Sequence, residues 1–584
     1  MKSDIRTISD VFQNGGNTHF ILPHFQREYV WDQEQWKELL RDLFFIYKDY
    51  ASFGYDDEKI PIHFLGMLVM SYDSMKSRTI PAYKIVDGQQ RMITVSLLLC
   101  VLRDLTKKRK KDIDLSRKID ALLVNPLEKN NAHFKVLPNT RYNDLNTYTS
   151  IINGNTVVSK SSRIYKAYKY LHKEVSRYIS KENVPIEHLY TVLVRGFQVA
   201  LVDLEDESPY KIYESLDGKG KVFSQLDAVR NYIAMMLPAD VQEEVFERDW
   251  IKIEEALNER NKVGKSGELS AFLRHYLAMC RCTLYPEDRV YARFRDYIEQ
   301  EHPDAIKFTQ EIGRLRRFAE YYRSLLDPQH EPDTLVRQAL LWLSQFEATV
   351  TYPFLLKAYD AFHLGEIGSQ DFSQLLAMLE NLMVRRYLCG ESVGNINKWF
   401  PLAWSEIEKI RISSSFVDAC RQVLSSRYYP LDYQIREAVQ KTTIYNGKSV
   451  LYRAKLTFVL MSIEKHLWSN TDVASLELKS PTTIEHIMPQ TLTDLWKIDL
   501  GSSWDQVHKT FLHTLGNLAL VSQGKNIQLS NAGFVVKREI LLKQGFRMNT
   551  YFTNNIVRWD ENAIRMRSEW LTQYILQIWP SLHT

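Results

Sequence analysis

Three observations predict an α+β fold, predominantly α-helical, for this chain of 584 residues. Two short runs near the N-terminus, His63–Met70 and Ala82–Val86, are rich in β-branched and large apolar residues and read as strands. From about residue 160 to 425 most segments repeat their apolar residues at helical spacing, and Pro and Gly are sparse. Near the C-terminus two more strand-like runs, at about 484–488 and 516–522, precede a helical pattern over Asn531–Leu542.

Taken in order, Asp87-Gly88 turns the chain after the second run, and a helix follows from Gln90 to Leu105. The longest apolar stretch, Val95–Leu102, lies inside it. It is interrupted by Ser96 and far shorter than the ~20 residues of a membrane span, so it reads as a buried helix. The basic run 107–111 reads as a solvated helix end, with a phosphate-contacting patch as the less common alternative. Helical periodicity then marks Ile164–Ile179, Phe272–Met279, Leu335–Phe346 and Phe372–Leu388. The chain breaks around Ser425–Pro430, and Leu451–Leu467 reads as an amphipathic helix followed by polar Ser469–Asp472. A chain of this length needs more than one core. The expected domains are 1–235, 236–425 and 426–584.

Composition excludes several classes. Charged residues make up 25% and hydrophobic ones 45%, as in ordinary globular proteins. The net charge of +4 is only mildly basic, so a nucleic-acid surface must be a local patch. The five cysteines form no CxxC pair, which argues against a zinc ribbon or a disulfide framework. Met1-Lys2-Ser3-Asp4 opens without the apolar stretch of a signal peptide. A cytoplasmic, reduced protein with no membrane partner is expected. Gly264-Lys265-Ser266 imitates the end of a P-loop, but position 259 is Glu and no strand precedes it.

The chemistry concentrates near the C-terminus. Glu485-His486 with Pro489-Gln490 is followed by Gly516-Asn517-Leu518-Ala519-Leu520-Val521 and then Asn526. This layout resembles an HNH-type nuclease, a hairpin and helix around one metal ion. Phosphodiester hydrolysis needs an activated water and a cation on the leaving oxygen. His486 is the candidate base, with an ordinary pKa near working pH. Glu485 and Asn526 are candidate metal ligands, and oxygen donors favour Mg²⁺ or Mn²⁺. Asn517 would pin the loop and orient the imidazole. Lys525, Lys537 and Arg538 lie close enough in sequence to contact phosphate. The assignment does not survive an imidazole packed away from solvent, or one far from both Glu485 and Asn526 with no room for an ion. His508 and His513 fall within the gap as less favoured ligands.

Two clusters stand out near the N-terminus. In Ile85-Val86-Asp87-Gly88-Gln89-Gln90-Arg91 a strand ends and a helix begins, so free N–H groups point at the turn. Arg91 in a first helical turn calls for an anion or a carboxylate nearby. Gln89 and Gln90 could bond a ribose, base or phosphate, and Asp87 could hold a metal or the arginine. The other cluster, Leu22–Trp31, contains Gln26, Arg27, Tyr29 and Trp31. It reads either as an aromatic core strand or as Arg27 on phosphate with Tyr29 or Trp31 stacked on a base.

His24–Trp31, His63–Met70 and Asp87–Arg91 resemble the DGQQR-motif family, a nucleotide-dependent module related to the ParB/sulfiredoxin fold. Tyr213–Gly220 with Leu226-Asp227 is similar to a later segment of that family, although Asp217 replaces its Asn and Gly218–Lys221 is more basic. Val384-Arg385-Arg386-Tyr387 resembles its helical tail, and the last third resembles its HNH partner domain, with Glu485 in place of the Asp common in such sites. Together these are similar to GmrSD-type modification-dependent restriction enzymes and the related phage-defence nucleases SspE and BrxU. The resemblance implies a ParB-like domain that binds and hydrolyses NTP (GTP, UTP, CTP or ATP), and an HNH domain that nicks or cleaves double-stranded, modified DNA. It implies that Asp87, Gly88, Gln89, Gln90, Arg91 and Arg27 serve the nucleotide. Gln26, Tyr29 and Trp31 would sense DNA, and His486, Asn517 and Asn526 would serve cleavage. A homo-oligomer fits such a protein. The alternatives are a non-catalytic DNA-binding scaffold and an RNA-directed, toxin-like nuclease.

Overall fold

The computed structural model describes residues 2–13, 18–22, 29–72, 80–109, 113–125, 128, 133–138, 144–157, 159–204, 225–237, 241–258, 267–346, 348–445, 449–469, 482–522, 529–553 and 556–583. Gln26, Arg27, Asn526, Lys525, the 213–221 segment and Gly264-Lys265-Ser266 lie outside them. Among the described residues the architecture is α+β and predominantly helical, with one mixed sheet and one two-stranded sheet. The chain divides into two compact units, Met1–Arg248 and Asp249–Thr584. Among the described residues no helix is long and apolar enough to cross a membrane.

The first unit is built on six strands: β1 (Lys2–Thr7), β2 (His19–Ile21), β3 (His63–Tyr72), β4 (Ala82–Asp87), β5 (Val136–Leu137) and β6 (Phe197–Asp203), ordered β1-β6-β3-β4-β2-β5. β1 runs antiparallel to β6, and β3 antiparallel to β4, while β3/β6, β2/β4 and β2/β5 are parallel. Behind the sheet lies the helix Gln89–Arg109, with Leu97 to Leu102 entirely inaccessible. A helix apolar on all faces has to be central. Helices Gln33–Ser52, Ile113–Leu123 and Arg163–Glu182 contribute to the same core. The Gln33–Ser52 helix starts with a capping box: Asp32 accepts from Glu34 N at 3.0 Å, and Gln35 Oε1 accepts from Asp32 N at 3.0 Å.

The second unit is a stack of helices followed by β7 (Thr482–His486), β8 (Leu518–Ser522), the helix Phe534–Leu542 and the helix Glu561–Ile578. The helix Ser369–Leu388 is joined to the chain's last residues by buried polar groups. Arg385, fully buried, donates to Pro430 O at 2.9 Å, to Trp579 O at 2.8 Å and to Asp432 at 2.5 Å. Arg386 donates to Tyr428 O and Ser392 O, and Asn381 Nδ2 to Pro580 O. A buried guanidinium is tolerated only when its donors are paired. These bonds fix the Val384–Tyr387 segment against residues 428–432.

Removing that cation should leave two buried carbonyls without donors. Arg385→Ala is expected to cost about 3 kcal/mol or more, read as a lowered urea midpoint, whereas Arg421→Ala on an exposed face should change it by under about 0.5 kcal/mol.

Candidate nuclease site

β7 and β8 pair antiparallel, with Glu485 opposite Ala519 and His486 opposite Leu518. The connection between them carries two short helices, Asp494–Leu500 and Trp504–Phe511, and returns through Leu515–Asn517. Asn517 fastens this connection. Its Oδ1 accepts from Met488 N at 2.7 Å and from Trp559 Nε1 at 3.0 Å. Its Nδ2 donates to Met488 O at 3.0 Å and Leu512 O at 2.9 Å. Every hydrogen-bonding capacity of the amide is therefore used. Gly516 makes room for this turn: a Cβ there would lie 2.6 Å from Ile564 O and against Ser568 on the helix Glu561–Ile578. From that helix, fully buried Arg567 donates to Gly516 O and Leu518 O.

Held at the end of β7, His486 places Nε2 3.1 Å from His513 Nδ1 and Nδ1 3.5 Å from Gln490 Nε2. Tyr445 meets the His486 ring edge-on at 4.6 Å and stacks on His513 at 5.6 Å. The backbone N–H groups of Ile444 and Tyr445 both point at His513 O, at 3.0 and 3.4 Å. His508 Nε2 lies 3.0 Å from Pro489 O. His486 is only 5% exposed, whereas Tyr445, His508 and His513 are half-buried and Gln490 is exposed. The base expected to be open thus forms the floor of an imidazole- and tyrosine-rimmed site. Burial drives its pKa down to about 3, and the neighbouring charges of His513, Lys537 and His508 add to the effect. That differs from the working-pH value expected for an open imidazole. Burial also lowers His513, with His508 contributing.

Glu485 is not beside the imidazole. Successive strand residues point to opposite faces, and its carboxylate lies 2.6 Å from Lys537 Nζ, which also donates to His486 O at 2.8 Å. Burial pushes Glu485 up and Lys537 down, and their mutual attraction opposes both shifts. Lys537 is fully buried, so it serves this pair and not a phosphate as expected. Arg538 donates to Ile556 O at 2.8 Å. Among the described residues no group of three or more His, Cys, Asp or Glu could hold a metal. The donors nearest His486 are imidazoles, and Glu485 is engaged elsewhere, so these residues do not make the oxygen-rich set that Mg²⁺ or Mn²⁺ takes. The partners of His486 are His513 and Tyr445. The histidine spacing named His513 as a less favoured ligand, but nothing marked Tyr445, which lies far upstream.

In the first unit Asp87 ends β4, Gly88 adopts φ +98°, and the helix begins at Gln89. A Cβ at Gly88 would meet Leu68 Cδ1 at 2.9 Å and Met67 O at 3.1 Å, so the turn demands glycine. Arg91 folds back onto Asp87 at 3.1 Å and points Nη1 at Leu65 O, 3.5 Å away. Of the two partners the sequence allows Asp87, the carboxylate takes the arginine. Gln90 Oε1 accepts from Val30 N at 2.9 Å and Trp31 N at 3.4 Å. Gln89 is 6% exposed, and its Oε1 meets no donor among the described residues. Tyr29, expected on a DNA-sensing surface, is in the core: its hydroxyl bonds Thr94 at 2.7 Å and accepts from Trp36 Nε1 at 2.8 Å. Trp31 is half-buried beside that core.

Two family descriptions match the chain: the N-terminal domain of GmrSD restriction endonuclease over residues 8–234, and the C-terminal domain of GmrSD restriction endonucleases over residues 429–574. The chain belongs to the GmrSD restriction endonuclease family. The Asp87–Arg91 turn lies within the GmrSD N-terminal match, and the His486–Asn517 site within the C-terminal one. Membership in GmrSD supports a restriction-type nuclease with DNA as its substrate. No curated protein matches the chain.

Two outcomes follow from the geometry. The folded pKa of His486 lies below its unfolded value of about 6.5, so the unfolded chain takes up the proton first. That contribution to stability is intact above about pH 6.5 and is lost as pH falls from there toward about 3. Between pH 7 and pH 5 it amounts to about 2 kcal/mol, and the urea midpoint of His486→Asn should fall less over that interval than that of the wild type. Gly66 has φ +116°, and a Cβ there would lie 2.1 Å from Arg91 Nη1. Gly66→Ala should therefore destabilise the first unit by about 1–3 kcal/mol, seen in its urea midpoint.

Proposed function

We propose that this chain is an HNH-type DNA endonuclease of an anti-phage restriction system. It would hydrolyse phosphodiester bonds at His486 and use an NTP bound near Asp87–Arg91 to regulate cutting of modified foreign DNA. The observation that carries the nuclease reading is the Asn517 amide. It binds both sides of the connection between β7 and β8 and so presents His486 at the end of a hairpin followed by a helix.

The base needs a neutral imidazole, and burial keeps His486 neutral throughout the physiological range. An imidazole depressed so far is a weak base. A phosphodiester entering the site brings negative charge, which favours the imidazolium and raises the basicity when substrate is present. If His486 Nε2–H donates to His513, the lone pair on Nδ1 faces the Gln490 amide N–H, 3.5 Å away, and the exposed Gln490 has to turn aside before Nδ1 takes a proton from water. His513 then acts as a positioning residue through the tautomer it selects. Dependence on Mg²⁺ or Mn²⁺, for which the described imidazoles and the paired Glu485 are a poor donor set, is tested by chelation.

In the first unit, support for nucleotide binding comes from the N-terminal N–H groups of the helix Gln89–Arg109, from the partly exposed Arg91 and from the Gln89 carbonyl that meets no donor among the described residues. The burial of His486 and the Glu485–Lys537 pair favour a second reading, a DNA-binding scaffold whose cutting site is degenerate.

Incubation with modified and unmodified phage DNA, with each NTP and either metal, separates the two. The wild type should cut, and His486→Ala should cut at least about 100-fold more slowly while still turning over NTP. Cutting by His486→Ala at the wild-type rate would refute the site. Absence of cutting by the wild type under every condition, with DNA still bound, would support the scaffold. Since the free-enzyme pKa of His486 is about 3, kcat/KM should show no acid limb near pH 6.5.

A further inference from the structure

The helix Arg163–Glu182 carries six cations (Arg163, Lys166, Lys169, Lys173, Arg177, Lys181) against two carboxylates, Glu174 and Glu182. Its inner face, Ile164, Ala167, Leu171, Val175 and Ile179, is buried in the core of the first unit. At 3.6 residues per turn, Lys166, Lys169, Lys173 and Arg177 fall on the opposite face, all four exposed. Tyr170 lies beside the row, Ser180 follows its end, and no acid falls on the line of the four cations. Glu174 stands to one side and touches Lys173 and Arg177 only at 4.0 and 3.8 Å. Lys108, at the end of the helix Gln89–Arg109, lies 3.4 Å from Nε2 of His172 on the helix Arg163–Glu182 and extends the positive field. Burial, then the charges of Lys108 and Lys169, hold His172 below its ordinary pKa.

Solvated helix faces normally mix signs. The neighbouring helix Gln33–Ser52 does so: its exposed Arg41 reaches Glu38 at 3.6 Å and Asp42 at 3.4 Å. Four like charges in one row repel one another, and helix stability gains nothing from them. We infer that the outer face of Arg163–Glu182 is a docking ridge for the phosphate backbone of duplex DNA, set by Lys166, Lys169, Lys173 and Arg177. At about 1.5 Å per residue the row is about 17 Å long, enough to follow several phosphates on one strand at about 3.4 Å of axis each. Its contacts are charge to charge and carry no base information, so the ridge holds modified and unmodified duplexes alike. The inference rests on DNA being the substrate, not on His486 being the base.

The test is anisotropy titration of the full chain with an unmodified fluorescent duplex of about 30 base pairs in EDTA, over about 50–200 mM salt. The fourfold Lys166/Lys169/Lys173/Arg177→Gln variant is compared with Arg6/Arg41/Lys59/Arg117→Gln, which removes equal charge from scattered exposed sites. The ridge variant should bind at least tenfold more weakly, with a log–log salt slope shallower by about 2–4. The scattered variant should lose less than threefold. Each result should recur in His486→Ala protein, so a failed cleavage site leaves this measurement intact. Equal losses for the two variants, an unchanged slope for the ridge variant, no duplex binding by the wild type, or a loss confined to a single-stranded RNA probe would each overturn the inference.

Discussion

One buried amide determines the geometry of the C-terminal site. Met488 and Asn517 are 29 residues apart in sequence, and no regular ladder spans the connection between β7 and β8. Asn517 substitutes for one. Its two acceptor and two donor bonds reach Met488, Leu512 and Trp559 at once. A half-satisfied amide in this place would cost more than an apolar side chain. Full satisfaction makes the loop unique, and the loop fixes where His486 points. Gly516 and Arg567 are consequences of the same constraint, since the helix Glu561–Ile578 has to approach the turn closely enough to reach its carbonyls.

Electrostatics then divide the Glu-His pair. On a strand the two side chains diverge, so one sequence motif becomes two environments. Glu485 goes inward, where only an ion pair tolerates a carboxylate, and Lys537 provides it. His486 goes to the floor of a site made by His513 and Tyr445, where desolvation keeps it neutral. The same logic recurs at the other end of the chain. Arg91 could answer the Asp87 turn through either an anion or the carboxylate, and it pairs with the carboxylate.

Much of this was legible in the sequence. Runs of large apolar residues and the Asp-Gly turn marked β3 and β4, the apolar run marked the helix behind them, and the Gly-Asn-Leu signature located β8. The helix expected at Asn531 begins at Phe534. Other elements gave no usable signal. β1 is an edge strand with one apolar residue, Ile5, and that one faces solvent. β6, paired on both sides, continues directly from the apolar turn Val192–Val194, so its period is hidden in a region read as helical. β5 has two residues. In the site, Lys537 sits on a helix where lysine is ordinarily solvated, and its inward turn is set by a carboxylate on another element. Tyr29 shows the converse: an aromatic beside polar residues looked like a stacking surface, but Thr94 and Trp36 satisfy its hydroxyl inside the core.

The central claim is that a desolvated, neutral imidazole waits at this site for the charge of a phosphodiester. Nitrogen-15 NMR of histidine-labelled protein, with the His486 signal assigned by its loss in a His486→Gln variant, measures this directly. The account predicts that His486 stays neutral down to about pH 4 in the free protein, since its pKa is about 3, and that bound duplex DNA in EDTA raises that pKa. A His486 signal that titrates near pH 6.5 and does not respond to DNA would contradict it.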